Sequence, residues 1–258
     1  MSDLHVVYRI SDKGRDKEKL ANATKKHCFE NAISAFGKEK FYVIADNCSG
    51  ELMSVIKESG VSFEETSLGN TGSFKYAMDK VIRDYPMESY VYLLEDDYLH
   101  LPNSKNALLE GLALADYVTL YDHADQYCFF SEGGTPFNNG DYHRWRIFYT
   151  ETTHWRETPS TTMTIAAKVA TLKEDYDIWM SQPSKGVPND FTTFVKLTKQ
   201  KDLRVFPAAC RIEKGAGLAI IFNHFSRRKK RLLISAIPGM STHAELKYLS
   251  PIVDWTSI

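Results

Sequence analysis

The sequence SYVYLLEDDYLH, residues 89–100, joins an apolar run directly to three consecutive acidic residues. The run at 90–94 contains two tyrosines, a valine and two leucines, and short runs of this kind favour strands. Because no polar residue interrupts it, the run is typical of a central strand that is buried on both faces. We therefore predict a buried strand of a parallel sheet, with Glu95, Asp96 and Asp97 immediately beyond its carboxyl end.

The three adjacent carboxylates indicate a binding role. Neighbouring carboxylates repel one another and lose hydration when they are covered, so a fold seldom gains stability from them. Ligands of open α/β sheets bind just beyond the carboxyl ends of the strands. Mg²⁺ or Mn²⁺ prefers oxygen ligands there and can hold substrate phosphates at the same time. A solvated acidic turn is the alternative, and the pattern of the surrounding chain favours the cation site.

The residues around this strand alternate between strand-like and helix-like patterns with short connections. Such alternation predicts a parallel sheet with helices on both faces. Two later segments with alternating polarity predict antiparallel strands, so the expected sheet is mixed, and the tail from residue 210 is expected to be irregular. Strands are predicted at 4–10, 40–46, 61–66, 90–94, 116–121, within 143–168 and at 203–208, and helices at 16–36, 51–59, 73–84, 105–114, 169–181 and 188–200.

The composition limits the classes of function. The chain has 258 residues, 43% of them hydrophobic, which is enough for a full core. Its net charge of −1 gives no general attraction to nucleic acid. The four cysteines are scattered without CxxC spacing, which indicates reduced thiols. The sequence has no signal-peptide pattern and no apolar run near the ~18 residues that span a bilayer, so we expect a cytoplasmic protein without a transmembrane segment.

The acidic turn after a buried strand, preceded by the alternating array, resembles the nucleotide-sugar domain of GT-A-fold glycosyltransferases, especially the inverting, family-2-like group. The resemblance covers residues 4–200. It implies an α/β, GT-A-like (Rossmann-related) fold with a mixed, mostly parallel central sheet flanked by helices. We further expect one domain over 1–258, with a nucleotide-binding half at 1–100, an acceptor-side half at 101–209, and a tail at 210–258 that packs near the site.

The family's acidic DXD signature has the same placement as the turn after the central strand. By this resemblance, Asp97 matches the metal-binding acid and Glu95 matches the first acid of the signature. Glu95 departs from the strict pattern, which has aspartate at that position. Asp96 is expected to contact the ribose of the donor or to support the metal ion.

At the same edge of the sheet, the resemblance implies donor contacts from residues that end the first two strands. Tyr8, Arg9 and Ser11 fall where the family holds the base and ribose, with a surface turn as the alternative. Asp46 ends the second strand, where a carboxylate can accept hydrogen bonds from the N–H groups of uracil or guanine. The alternative for Asp46 is a cap for the helix that follows.

Further positions are candidates for holding the diphosphate and the cation. Gly72 and Ser73 precede a predicted helix, and the free N–H groups of a helix start attract phosphate. Arg156 lies in the aromatic and basic segment HWR and is expected to neutralise diphosphate or to form part of a sugar platform. His243 is a candidate metal ligand, since imidazole binds Mn²⁺ better than Mg²⁺. A structural histidine is the alternative at that position.

The segment PNDF at 188–191 supplies the candidate catalytic residue. Inverting enzymes of the resembled group place a carboxylate at the start of such a helix, and Asp190 matches it. Asp190 is expected to take the proton from an acceptor hydroxyl while that hydroxyl attacks the sugar opposite the leaving nucleotide. A helix cap is the alternative, and Glu151 and Glu157 are reserve candidates for the base.

Two polar segments stand apart from these motifs. Residues 122–142 are rich in Asp, Gly and Asn and are typical of a loop that closes over a site. Residues 227–231 read RRKKR, which is typical of a solvated face and is alternatively a contact with anionic lipid.

The sequence thus predicts a metal-dependent inverting glycosyltransferase of polysaccharide biosynthesis. The expected donor is a nucleotide-diphosphate sugar with Mn²⁺ or Mg²⁺, and the expected acceptor is a hydroxyl of a glycan or of a lipid-linked or protein-linked group. Peripheral membrane contact is an open alternative, and no nucleic-acid partner is expected. The alternative functions are a nucleotidyltransferase that makes nucleotide sugars, and a non-catalytic module that binds sugar or nucleotide.

Overall fold

The computed structural model of the chain describes most of the sequence, namely residues 3–13, 17–138, 145–183 and 186–258. The last part of the predicted closing loop, 139–142, lies outside the described residues. Within the described ranges, no helix is both long and apolar enough to cross a membrane.

Eleven strands occur in the described part of the chain. Nine of them form one sheet in the order β3-β2-β1-β4-β9-β6-β10-β8-β7, and β5 and β11 form a separate pair. Seven of the nine strands run in one direction, while β8 and β9 run against their neighbours. In chain order the strands are β1 (Leu4–Ile10), β2 (Phe41–Asp46), β3 (Ser62–Thr66), β4 (Tyr90–Glu95), β5 (Tyr98–His100), β6 (Tyr117–Thr119), β7 (Ile147–Tyr149), β8 (His154–Glu157), β9 (Ile165–Lys168), β10 (Leu233–Ile237) and β11 (Ser241–His243).

Helices cover both faces of this sheet. Two hydrophobic clusters result: one contains Tyr8 and Phe29, and the other contains Val7 and Phe74. Neighbours in a strand point to opposite faces, so β1 supplies both clusters. The α-helices are α1 (Lys25–Phe36), α2 (Gly50–Ser59), α3 (Gly69–Asp84), α4 (Ser104–Leu112), α5 (Val169–Glu174), α6 (Tyr176–Met180), α7 (Asp190–Leu197), α8 (Phe206–Ile212) and α9 (Lys214–Asn223).

The first half of the chain has the predicted alternation of strands and helices. β1 lies between β2 and β4 and is parallel to both. This order places the carboxyl ends of the three strands at one edge of the sheet. In the register of β1 and β4, Arg9 is the partner of Glu95. The acidic turn therefore lies beside the end of the first strand, as the sequence predicted.

The predicted helix at 16–36 is wrong in its first part, because α1 begins only at Lys25. Thr24 caps that helix, and its hydroxyl oxygen accepts a hydrogen bond of 3.1 Å from the His27 N–H. Before it, Lys19 forms a β-bridge with Glu245, and Ala21 and Asn22 form a turn. The helix therefore starts directly after the cap residue Thr24, and Lys19 pairs with the tail where two helical turns were expected.

The last third of the chain differs most from the expectation. The predicted strand at 203–208 is wrong, since this region forms a short 3₁₀ turn followed by α8, with Pro207 in the first helical turn where proline is tolerated. The tail is ordered rather than irregular. Its strand β10 lies inside the main sheet, parallel to β6 and antiparallel to β8.

The segment at 143–168 contains antiparallel strands, as predicted. β9 pairs antiparallel with both β4 and β6. β8 lies in the same segment and pairs antiparallel with β7 and β10. Its Trp155 is fully buried in the core and donates from Nε1 to the Thr150 hydroxyl at 3.0 Å.

Candidate active site

A cleft of about 680 Å³ opens at the carboxyl ends of β1, β2 and β4. This volume lies in the range that small-molecule sites usually have. The helix starts of α3 and α7 and the strand β11 complete its walls. Among the predicted site residues, those that line it are Arg9, Ser11, Asp46, Ser73, Glu95, Asp96, Asp97, Asp190 and His243.

Each carboxylate of the acidic turn has a cationic partner within the cleft. Glu95 Oε1 accepts from Arg9 Nη2 at 2.7 Å. Asp96 pairs with the Lys25 ammonium and accepts from the Ser11 backbone N–H at 2.7 Å. These contacts hold Glu95 and Asp96 without a metal ion.

Asp97 is held from two sides. Its Oδ2 lies 2.9 Å from Lys19 Nζ and 3.1 Å from His243 Nε2. Burial raises the pKa of the Asp97 carboxyl, but the hydrogen bond and charge of His243 and the charge of Lys19 outweigh burial, so the pKa lies well below its usual range. For Glu95 and Asp96, burial outweighs the pairing with Arg9 and Lys25, and their pKa values are raised. Asp97 is thus the carboxylate that stays ionised most readily.

Asp97 and His243 are the side chains that would hold a divalent cation in this cleft. In the structure their Oδ2 and Nε2 atoms lie 3.1 Å apart, at hydrogen-bond distance, so both groups face the same point. Mg²⁺ and Mn²⁺ commonly take one or two protein ligands and complete the shell with waters and phosphate. Among the described residues no group of three or more His, Cys, Asp or Glu side chains could hold a metal. The donor set therefore suits an ion that a diphosphate also binds.

Arg9 connects the acidic turn to the start of α3. Its Nη1 donates to Asn70 O at 2.9 Å, to Asn70 Oδ1 at 3.1 Å and to Ser73 Oγ at 3.1 Å. The side chain is only 9% exposed, so its donors serve mainly to fix these elements. The helix begins at Gly69, not at the predicted residue 73, and Gly72 lies inside its first turn without lining the cleft. Gly72, which was predicted to contact phosphate, therefore does not line the cleft, whereas Gly69 and Asn70 do.

Asp46 has a structural role in this arrangement. Its carboxylate accepts from Leu68 N at 2.6 Å, from Gly69 N at 2.9 Å and from the Thr66 hydroxyl at 2.9 Å. Asn47 Nδ2 donates a fourth bond of 2.8 Å. The carboxylate thus fixes the entry to α3 instead of capping α2, and its acceptor sites are already used, which leaves little capacity for a nucleotide base.

Two predicted donor contacts lie elsewhere in the fold. Tyr8 is fully buried and packs with Phe29 and Phe41 at ring-centroid distances of 5.5 Å, because its position on β1 faces the α1 side of the sheet. Arg156 pairs with Asp122 at 2.8 Å and does not line the cleft. Tyr8 lies outside the cleft because side chains alternate along β1, and Arg156 lies outside it because β8 is far from the carboxyl ends of β1, β2 and β4.

Asp190 begins α7 and lines the same cleft as the acidic turn. Its Oδ1 accepts from the Phe191 backbone N–H at 2.8 Å. Burial, followed by the negative charge of Glu213, raises the pKa of Asp190 to about 7. A carboxyl with this pKa can accept a proton near neutral pH. The reserve candidates Glu151 and Glu157 do not line the cleft.

Sequence reasoning missed Glu213 and a set of lysines. Glu213 lies between α8 and α9, and its Oε2 accepts from the Thr192 N–H at 2.9 Å, which joins it to the start of α7. No local motif marks it. The lysines that line the cleft are Lys13, just after β1, and Lys17, Lys19 and Lys25, which lie in the segment at 16–36 that was expected to be helical.

No known family model matches this chain, and no curated protein is significantly similar to it. Solved structures do match. GalNAc-T7 with UDP, GalNAc and Mn²⁺ is 12% identical, with a TM-score of 0.50 over 93% of this chain and 43% of that chain. The chain has a GT-A-like fold. The predicted α/β class with its mostly parallel central sheet is thereby confirmed.

Two further structures are similar over shorter parts. A putative nucleotide-diphospho-sugar transferase from Desulfovibrio desulfuricans G20 is 16% identical, with a TM-score of 0.34 over 46% of this chain and 58% of that chain. A CMP:2-keto-3-deoxy-manno-octonic acid synthetase is 12% identical, with a TM-score of 0.42 over 69% of this chain and 78% of that chain. The chain spans less than two thirds of the transferase and of GalNAc-T7.

Proposed function

We propose that this chain is a metal-dependent, inverting glycosyltransferase that moves a sugar from a nucleotide-diphosphate donor to an acceptor hydroxyl. The observation that carries the proposal is the shared cleft, which the Asp97 and His243 pair and Asp190 line together. A cation ligand and a base with a raised pKa are the two groups that such a transfer needs.

On the donor side, Asp97 and His243 would hold Mn²⁺ or Mg²⁺, which would supply positive charge to offset the negative charge that develops on the departing diphosphate. Lys13 and Lys17 are exposed at the rim of the same cleft and draw phosphate towards it. Lys19 and Lys25 balance the charges of Asp97 and Asp96 until donor and ion arrive.

On the acceptor side, Asp190 removes the hydroxyl proton. The acceptor oxygen then forms the new bond to the anomeric carbon while the bond to the diphosphate oxygen breaks on the opposite face. The carboxyl is ionised above pH 7, which follows from its raised pKa. We assign donor binding to residues 1–100, acceptor binding to 101–209, and support of both to the tail at 210–258, which contributes His243 and Glu213.

A nucleotidyltransferase is the second candidate, and the lysines that follow β1 favour it. Four ammonium groups line one cleft, at Lys13, Lys17, Lys19 and Lys25. Lys19 and Lys25 pair with Asp97 and Asp96, and the exposed Lys13 and Lys17 suit the greater negative charge that a nucleoside triphosphate carries relative to a diphosphate sugar. The products distinguish the two candidates. A nucleotidyltransferase joins a nucleoside triphosphate to a sugar phosphate and releases pyrophosphate from the triphosphate.

A thermal-shift screen tests the proposal. UDP, GDP and dTDP are compared with CTP and UTP, each with Mn²⁺ and with EDTA, because a ligand that binds the native state raises the melting temperature. The proposal expects a nucleoside diphosphate to raise it only with Mn²⁺. Stabilisation by triphosphates alone, together with pyrophosphate release on adding sugar phosphates, favours the second candidate. No stabilisation by any nucleotide contradicts both.

A further inference from the structure

The helix α9 is apolar on two opposite faces. One face is buried by packing against α7 and α8 and contains Ala216, Ala219 and Ile220. The other face is exposed and repeats at helical spacing, and the chain continues in the same turn to Phe225, whose N–H bonds to Phe222 O at 3.0 Å. We call this face the apolar stripe; its members and their exposed fractions are Leu218 53%, Ile221 38%, Phe222 66% and Phe225 80%.

The segment that carries the apolar stripe is also strongly basic. Residues 214–233 contain no Asp or Glu and six Lys or Arg residues, in a chain whose net charge is −1. Arg231 is buried, at 4% exposure, while the other five basic residues are exposed. Of these, Arg228 pairs with the exposed Asp177, while Lys229 and Lys230 pair with the largely covered Asp116 and Glu157. The exposed Arg228–Asp177 pair contributes little, so Arg228 can exchange partners.

We propose that the apolar stripe and the basic residues 227–230 dock this protein on an anionic lipid surface. Aromatic and aliphatic side chains on one helix face enter the boundary between headgroups and acyl chains, and adjacent Lys and Arg side chains bind the headgroup phosphates. A second copy of the chain fits less well. Because residues 214–233 hold no acidic side chain, pairing of two apolar stripes brings the two basic segments close together.

The helix α9, which carries the apolar stripe, begins next to a residue of the cleft. Glu213 lines the cleft, and Lys214 is the first residue of α9. Phe225 lies twelve residues beyond Glu213, which is about 18 Å along a helix. Docking therefore holds the cleft near the lipid surface, and, on the proposed function, it selects acceptors that are linked to lipid.

The test is sedimentation of the full chain with vesicles. We compare phosphatidylcholine vesicles with vesicles that also contain phosphatidylglycerol, using wild type and the double variant Phe222→Ser/Phe225→Ser. The matched control, Ile147→Ser/Tyr149→Ser, removes two apolar side chains from β7 that are 57% and 79% exposed. Circular dichroism checks that all three proteins are folded. No sugar transfer is measured, so the outcome is independent of the proposed function.

We expect wild type and the control to bind the anionic vesicles. The α9 variant should bind at least about tenfold more weakly, because it lacks the two phenylalanine side chains that would enter the lipid. The absence of binding by wild type overturns the proposal, as does equal binding by the α9 variant. Equal binding to vesicles without anionic lipid overturns the role of the basic residues. A wild-type dimer that the α9 substitutions abolish, without vesicle binding, assigns the apolar stripe to self-association and also overturns it.

Discussion

His243 Nε2 lies 3.1 Å from Asp97 Oδ2, although 146 residues separate the two in sequence. Strand pairing causes this approach, because β11 runs antiparallel to β5 and His243 is the partner of Tyr98. The Asp97 carbonyl also accepts from the Ala244 N–H at 2.8 Å. The tail thus fixes the acidic turn through its backbone while it presents an imidazole to the carboxylate.

Replacing Asp97 tests the cation site. In Asp97→Asn the ionised ligand is lost, and we expect Mn²⁺-dependent nucleotide affinity to fall by at least the roughly 10–100-fold that removal of a supporting outer ligand causes. The matched control is Asp84→Asn, which removes an exposed carboxylate that pairs with Lys80 and Arg83 on α3. Isothermal titration with and without Mn²⁺ gives the affinities. Equal losses in the two variants would refute a specific role for Asp97.

Replacing Asp190 separates binding from turnover. Asp190→Asn is expected to keep donor affinity and to lose transfer by roughly 10²–10⁴-fold, the usual contribution of a general base. Glu151→Gln is the control, since Glu151 is an exposed carboxylate outside the cleft. Steady-state rates and donor affinity are measured for both. Normal transfer by Asp190→Asn would show that another group is the base.

The pH dependence of transfer follows from the raised pKa of Asp190. Because the ionised carboxylate is the active form, kcat/KM should rise with pH through about 7 and then level off. Glu213→Gln removes a negative neighbour, so the pKa of Asp190 falls and the rise moves to lower pH.

Other groups near Asp190 stay in place in that variant. Glu95 raises the pKa of Asp190 and His123 lowers it, and neither is changed. The glutamine carbonyl can still accept from Thr192 N, so the start of α7 keeps its bond. If the pH midpoint of kcat/KM is unchanged in Glu213→Gln, Glu213 only supports the start of α7.

The buried carboxylate of Asp46 should matter for stability. Asp46→Ala leaves the N–H groups of Leu68 and Gly69 without their acceptor, and we expect a loss of about 3 kcal/mol in the free energy of unfolding. Asp84→Ala, on the exposed side of α3, should change it by less than about 0.5 kcal/mol. Urea unfolding measures both. If Asp46→Ala unfolds at the same urea concentration as wild type, the structural role of Asp46 is contradicted.

The first half of the fold was predictable because its signals are local. β1, β2 and β4 are short apolar runs that end at polar residues, and parallel pairing brings those ends together. Arg9, Asp97 and their neighbours could therefore be placed at one edge before the fold was known. Tyr8 was misplaced because its side of the strand depends on which face α1 covers.

The second half was less predictable because its elements depend on distant partners. α9 is apolar on both faces, so it lacks the one-sided repeat by which a surface helix is recognised. β10 is a short apolar run whose place between β6 and β8 comes from pairing across the chain. Glu213 reaches the cleft only through the packing of α9 on α7, which no local motif encodes.

The most direct test of the account is anomalous diffraction at the manganese edge from crystals soaked with Mn²⁺ and the nucleoside diphosphate that stabilises the protein. We predict one peak within coordination distance of Asp97 Oδ2 and His243 Nε2, with the diphosphate as a further ligand. A nucleotide bound in the cleft with no manganese at this pair, or manganese bound elsewhere, would contradict the proposed metal-dependent transfer.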